Sequence, residues 1–175
     1  MKLASYMSTR PGVQGVFNRL IRWRLDGLYS HTELVFEPGD GVDRLMPDGT
    51  CQPGPDEALW CVSSVAAERM PPWSRRRAGR LGGVRFKRIR LEPARWDVID
   101  YPAGPMRAAI LACEVEGELY DWQLISAYIA WLIPHKADRW SCSEIAAWLG
   151  GIDDSWRFDP CALRAAVMAM GGVHR

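Results

Sequence analysis

The sequence predicts a single α+β domain that covers residues 1–175. Three short segments rich in β-branched and aromatic residues predict strands at residues 28–36, 59–66 and 84–91. Segments in which apolar residues recur at helical spacing lie before and after these strands, and they predict helices. A chain of 175 residues with 48% hydrophobic residues is long enough and apolar enough for one domain with a sizeable core.

The first predicted helix runs from residue 13 to Asp26 and leads directly into the first strand. Its apolar residues recur at helical spacing: Val13, Val16, Phe17, Leu20 and Ile21. After the strand, residues 37–57 are rich in Gly, Pro and Asp and predict a long loop, with a short hairpin around Pro47-Asp48-Gly49. A loop of this length often borders a binding cleft.

A cluster of basic residues lies between the second and third strands, within residues 68–82. Its members are Arg69, Arg75, Arg76, Arg77 and Arg80. One interpretation is a basic lid that attracts an anionic substrate or a phosphate surface, and the other is a solvated loop. The solvated loop is the interpretation that the sequence favours.

The second half of the chain predicts four helices. One covers residues 105–117, and the next begins at Asp121 as N-cap and ends at Pro134. The buried face of that second helix consists of Ile125, Ile129 and Leu132. A third helix covers residues 141–149, and the last begins with Pro160 at its first position.

The third of these helices has a cysteine in its first turn. Ser141 or Cys142 is the predicted N-cap, and Glu144 lies where a carboxylate suits the positive end of the helix dipole. A thiol at this position is close to unpaired backbone N–H groups, which favour the nucleophilic thiolate. Cys142 is therefore a candidate nucleophile, and the alternative is a buried structural cysteine.

A candidate general base lies far upstream, in the first predicted strand. Alternation along this strand places His31 and Glu33 on one face and Thr32 on the other. The Glu33 carboxylate could therefore orient the His31 ring and stabilise the imidazolium, as the third member of a nucleophile–base–orienter set. The alternative is a polar patch on a half-exposed strand.

These two stretches together resemble a known family. A Ser-His-x-Glu-Leu strand, followed much later by Trp-Ser-Cys-Ser-Glu at the start of a helix, is similar to the circularly permuted NlpC/P60 papain-like amidases and peptidases. This YiiX/YaeF-like group is related to lecithin:retinol acyltransferase. In ordinary papain-like chains the cysteine helix precedes the histidine strand, and the order is reversed here. The resemblance covers most of the chain.

The resemblance implies a permuted papain-like fold, in which a small antiparallel sheet of at least three strands packs against a helical layer. It implies Cys142 as nucleophile and His31 as general base. In several related families the third residue comes from the following strand, where Ser63 and Ser64 lie, but neither serine carries a charge. We therefore favour Glu33 and keep both serines as alternatives. His135 ranks below His31 as base because it lies in a loop and is out of place for the family.

The implied function is a thiol hydrolase that acts through an acyl-enzyme. The family implies a small peptide or acyl-amide substrate, such as a cell-wall peptide. One alternative is an acyltransferase or lipid-acyl hydrolase of the same fold, which an apolar tunnel beside Cys142 would favour. Another is a catalytically inactive binding module that has kept the fold.

The composition argues against several other classes of protein. A formal net charge of +1 gives no bias toward nucleic acid, and no apolar run is long enough for a signal peptide or a stable membrane insertion. The five cysteines include no CxxC pair and no metal-ligand spacing, so we expect free thiols, no metal and no cofactor. A zinc site from Cys51, Cys61 and a histidine is disfavoured. We expect a cytoplasmic protein of a bacterium, phage or prophage, and the sequence leaves its oligomeric state open.

Overall fold

A computed structural model describes residues 1–9, 12–121 and 139–174. It confirms the α+β class: a five-stranded antiparallel sheet packs against helices. The strands are β1 (Lys2–Tyr6), β2 (His31–Phe36), β3 (Leu59–Arg69), β4 (Leu81–Ile89) and β5 (Trp96–Asp100). Their order across the sheet is β4-β3-β2-β1-β5, so the strand that carries His31 and Glu33 lies at the centre.

The helices follow the predicted segments closely. Those within the described residues are α1 (Val13–Leu25), α2 (Pro105–Val115), α3 (Cys142–Leu149) and α4 (Pro160–Ala169). A short parallel pair, β6 (Leu119–Tyr120) and β7 (Arg139–Trp140), ends immediately before α3 and leads the chain into it. No helix in the described parts of the chain has the length and apolar character that crossing a membrane requires.

The sheet has two strands more than the three that the sequence predicts. In β1, Leu3 packs in the main core while Ala4 and Tyr6 pack on the opposite face, so both faces of the strand are covered. A strand covered on both faces lacks the alternation of apolar and polar residues by which strands are recognised. In β5 the acidic residues Asp97 and Asp100 interrupt the run of apolar residues, so the sequence does not predict a strand there.

The predicted hairpin around Pro47-Asp48-Gly49 is wrong. This part of the long loop contains a 3-10 turn at Asp43–Leu45 and no strand. The Asp48 carboxylate instead accepts hydrogen bonds from the backbone N–H of Thr50, from Trp60 Nε1 and from Arg88. Those bonds hold the loop against β3 and β4 in place of a strand ladder.

Two arginines of the basic segment after β3 form hydrogen bonds within the turn that follows the strand. Arg69 donates to the carbonyl of Gly79, and Arg77 donates to the carbonyls of Leu81 and Gly82. These two guanidinium groups hold together the turn that joins β3 to β4.

The two faces of the sheet have different partners. On one face, side chains such as Leu34, Val62 and Val84 form the main core with the helices, including Ile145 of α3. On the other face a smaller cluster forms from Ala4, Tyr6, Val35, Cys61 and Trp96. By alternation, His31 and Glu33 share the face of this smaller cluster, and Thr32 faces the helices.

Part of one predicted helix lies outside the described residues. Tyr120 belongs to β6 and Asp121 follows it, but the remainder of the helix predicted from Asp121 to Pro134 is not among the residues described. The alternative base His135 also lies outside them.

The C-terminal end of α3 packs tightly against Tyr101, which follows β5. Tyr101 is buried, and its hydroxyl donates to the carbonyl of Ala146 at 3.4 Å. A Cβ atom placed on Gly150 would lie 1.9 Å from the Tyr101 hydroxyl oxygen. The φ of Gly150 is −74°, which any residue adopts, so lack of space alone requires a glycine here.

We predict that Gly150→Ala destabilises the protein by about 2 kcal/mol, because the added methyl group forces Tyr101 or α3 to move. The measurement is urea denaturation. Gly104→Ala is the matched control: its φ is −73° and nothing lies within 4 Å of the added Cβ, so its cost should stay under about 1 kcal/mol. Equal effects of the two substitutions would show that α3 is not seated against Tyr101.

Candidate active site

The N-terminus of α3 is held by a capping box. Ser141 is the N-cap: its side chain accepts the N–H of Glu144 at 3.2 Å, and the Glu144 carboxylate accepts the N–H of Ser141 at 3.1 Å. Cys142 is therefore the first residue of the helix, where backbone N–H groups have no partner within the helix. Of the two predicted N-caps, Ser141 and Cys142, the structure has Ser141, and it confirms Glu144 in the first turn.

The His31 ring interacts directly with the Cys142 side chain, and each group shifts the pKa of the other. Burial alone would raise the pKa of the thiol, but His31, with help from the backbone N–H of Thr32, lowers it below its usual value. Burial would lower the pKa of His31, but the Cys142 sulfur, followed by Glu33, raises it to about 9. Both shifts favour a thiolate–imidazolium pair.

This contact forms at an opening in the sheet. Pairing between β2 and β3 begins only at Leu34 and Val62, and the carbonyl of Thr32 accepts the hydroxyl of Ser63 at 2.7 Å instead of a backbone N–H. The N–H of Thr32 is thus available to the sulfur. Because His31 is the first residue of β2, its ring lies at the end of the sheet and reaches the helix packed on the other face.

Glu33 lies directly behind the His31 ring. Its Oε1 atom is 2.9 Å from His31 Nε2, which leaves Nδ1 as the ring nitrogen for the sulfur. Arg85 binds the same carboxylate through two hydrogen bonds of 2.7 and 2.8 Å. Burial would raise the pKa of Glu33, but the Arg85 guanidinium, together with His31, lowers it to about 2. The carboxylate therefore stays ionised at neutral pH.

Arg85 is the residue of this site that the sequence analysis missed. Its side chain is 1% exposed, and it also lies 3.4 Å from Glu68, which contacts Lys87. Ser63 is the cross-strand partner of Arg85 on β3, and its small side chain leaves room for the guanidinium to reach Glu33. A clue was present in the sequence: Arg85 stands between two apolar residues, Val84 and Phe86, near the start of a predicted strand.

The three candidates for the residue that orients the His31 ring lie in different places. Glu33 contacts His31, whereas Ser63 donates to the carbonyl of Thr32 and Ser64 faces the helices. His174, in the C-terminal tail, lies away from the site, with its Nε2 atom 2.8 Å from Asp97 Oδ1. The structure therefore brings Cys142, His31 and Glu33 together, and it pairs the Ser63 hydroxyl with the carbonyl of Thr32.

The thiol pKa values of the other four cysteines are shifted in the opposite direction. All five cysteines are free, and burial raises the thiol pKa of Cys51, Cys61, Cys113 and Cys161. Within residues 1–9, 12–121 and 139–174 no group of His, Cys, Asp and Glu side chains is arranged to hold a metal ion. Among these thiols, Cys142 has the lowered pKa.

A cleft adjoins the His31 side of the site. The ring of Trp96 lies 6.4 Å from His31 and 4.9 Å from Tyr6, and both aromatic residues line a cavity of about 440 Å³. The remaining lining residues are Ser8, Thr9, Ile89, Arg90, Glu92 and Arg95. The cleft is therefore aromatic next to His31 and mostly polar, with two guanidinium groups, further away.

Comparison with protein-family models, with curated proteins and with solved structures finds no match to this chain. The resemblance to permuted papain-like enzymes therefore rests on the two motifs and their order in the chain.

We predict that Arg85→Met destabilises the protein by about 3–5 kcal/mol at neutral pH, because it leaves the Glu33 carboxylate buried without its main counter-charge. Urea denaturation measures the effect. Arg90→Met is the control, since Arg90 is exposed just beyond the same strand, and it should cost within about 0.5 kcal/mol.

The double variant Glu33→Gln/Arg85→Met removes both charges together and should recover most of the stability lost in Arg85→Met. If Arg85→Met were as stable as Arg90→Met, Glu33 would not depend on Arg85 for its charge.

Proposed function

We propose that this protein is a thiol hydrolase, an amidase or peptidase with a permuted papain-like fold that works through an acyl-enzyme. The observation that carries the proposal is the interacting pair of Cys142 and His31 with the ionised Glu33 behind the ring. Nucleophile, base and orienter in contact are the arrangement that such catalysis requires.

The first half of the reaction forms the acyl-enzyme. Cys142 loses its proton to His31, and the thiolate attacks the carbonyl carbon of an amide or ester. The backbone N–H of Cys142, at the start of α3, donates a hydrogen bond to the oxyanion. When the intermediate collapses, the imidazolium of His31 gives its proton to the leaving amine or alcohol.

The second half restores the enzyme. His31 takes a proton from a water molecule, and the resulting hydroxide attacks the thioester. The bond from carbon to sulfur breaks, a carboxylic acid leaves, and the proton on His31 remains with the Cys142 thiolate as the ion pair. Throughout both halves Glu33 keeps the ring oriented and offsets the imidazolium charge.

The neighbourhood of Cys142 supports a small amide or peptide substrate over a lipid acyl group. Ser141, Ser143 and Thr32 lie beside or next to the cysteine and are buried, and they supply hydroxyl groups where a lipid acyl chain would need apolar walls. The cleft beside Trp96, which Arg90 lines together with Arg95 and its ion-pair partner Glu92 at 3.2 Å, suits a small peptide or acyl amide. Cell-wall peptides are one such class.

Five free thiols are in keeping with a reducing compartment, and we propose that the enzyme acts in the cytoplasm of a bacterium or of a phage-infected host.

We predict that iodoacetamide near pH 6 alkylates Cys142 at least about tenfold faster than any other cysteine, since at that pH only a thiol of lowered pKa is substantially ionised. Peptide mass spectrometry measures the rate at each cysteine. His31→Ala should abolish the excess, because burial then raises the thiol pKa, and His174→Ala should leave it intact. Equal alkylation of all five thiols would argue for a binding module.

Product analysis separates the remaining two activities. With a murein tripeptide amide and an excess of a primary amine as acceptor, a hydrolase releases the free acid, and an acyltransferase forms a new amide with the amine. Cys142→Ser should lose either product. Transfer to the amine in preference to water would overturn the assignment as a hydrolase.

A further inference from the structure

Ser64 is a buried polar residue with no role in the proposed reaction of Cys142, His31 and Glu33. It lies in β3 with no exposed surface, and its hydroxyl has no hydrogen-bond partner within the described parts of the chain. Burying a hydroxyl without a partner is unfavourable, so such a group in a folded protein requires an explanation.

The side chain of Ser64 faces the helices. Its cross-strand partner on β4 is Val84, and Val62 lies two residues before it on β3; both valines belong to the main core. Residues opposite each other and residues two apart on a strand share a face. Since Thr32 is on this same face of β2, Ser64 and Thr32 look toward the same side of the sheet.

Thr32 lies beside the candidate nucleophile, because its backbone N–H interacts with the Cys142 sulfur and α3 packs over β2. The hydrogen bond from Ser63 to the carbonyl of Thr32 holds β3 next to β2 at this level. Backbone pairing between β2 and β3 starts only at Leu34 and Val62, so the two strands are unpaired at the level of Thr32. The helix α3 packs over both strands. The Ser64 hydroxyl therefore borders the opening in which the sulfur lies.

We propose that the Ser64 hydroxyl is a catalytic residue of the hydrolase: it donates a hydrogen bond to the oxyanion, beside the N–H of Cys142. This inference rests on the proposed function. As the sulfur–carbon bond forms, the carbonyl π electrons move onto oxygen, and the Oγ–H of Ser64 points to that charge. No proton is transferred from Ser64, and the bond weakens again when the carbonyl re-forms.

Ser5 offers a matched control within the same row. It is the cross-strand partner of Thr32 on β1, it is equally buried, and its hydroxyl likewise has no partner in the described residues. However, β1 lies on the side of β2 away from β3, whereas α3 packs over β2 and β3. Ser5→Ala therefore removes the same group from a similar environment, away from the proposed oxyanion.

The test compares two reactions of the same sulfur in the full-length protein. Alkylation by iodoacetamide is a displacement at a saturated carbon and forms no oxyanion, whereas acylation by p-nitrophenyl acetate passes through one. Ser64→Ala should slow acylation by about a hundredfold, a typical effect of losing one oxyanion donor, and leave alkylation unchanged. Ser5→Ala should leave both rates unchanged, and Ser64→Thr, which keeps a hydroxyl, should retain more acylation than Ser64→Ala.

The outcomes separate this inference from the proposed function. If Ser64→Ala acylates like the wild type while Cys142 keeps its fast alkylation, the inference fails and the proposed function stands. A loss of both rates in Ser64→Ala together with equally slow acylation in Ser64→Thr would show a structural role and would also overturn it. If Cys142 of the wild type is alkylated no faster than the other thiols, both proposals fail.

Discussion

The bidentate ion pair of Glu33 and Arg85 is the interaction on which the candidate site depends. A carboxylate with no exposed surface would be expected to take up a proton, and the guanidinium prevents this. The ionised Glu33 holds the His31 ring, and the imidazolium in turn stabilises the Cys142 thiolate. Four buried charges of alternating sign, from Arg85 to Cys142, thus sum to zero, and removal of any one leaves an unpaired charge in the interior.

The fold contributes two features to this arrangement. The central position of β2 buries Glu33 between neighbouring strands, and the opening of the ladder between β2 and β3 admits the start of α3 to the level of Thr32. The capping box of Ser141 and Glu144 fixes where α3 begins, and Tyr101 fixes its other end. Cys142 is consequently held at a sheet end that side chains from both faces can reach.

Local patterns in the sequence predicted those parts of the site that depend on neighbouring residues. Alternation placed His31 and Glu33 on one face of a strand, and cap chemistry placed Cys142 at the start of a helix. Arg85 could not be paired with Glu33 in this way, because the two residues are 52 positions apart and meet only through the register of three strands. The same limit applies to Ser64 and Ser5, and to β1 and β5, whose burial on both faces or acidic residues hid their pattern.

The central claim is that Cys142 is a thiolate and His31 an imidazolium at neutral pH. NMR titration of the His31 ring, assigned by comparison with His31→Gln, tests it most directly. In the wild type the ring should remain protonated through neutral pH and titrate near pH 9, and in Cys142→Ala its pKa should fall well below that value. A ring that titrates near its ordinary pKa of about 6.5 in both proteins would contradict the account.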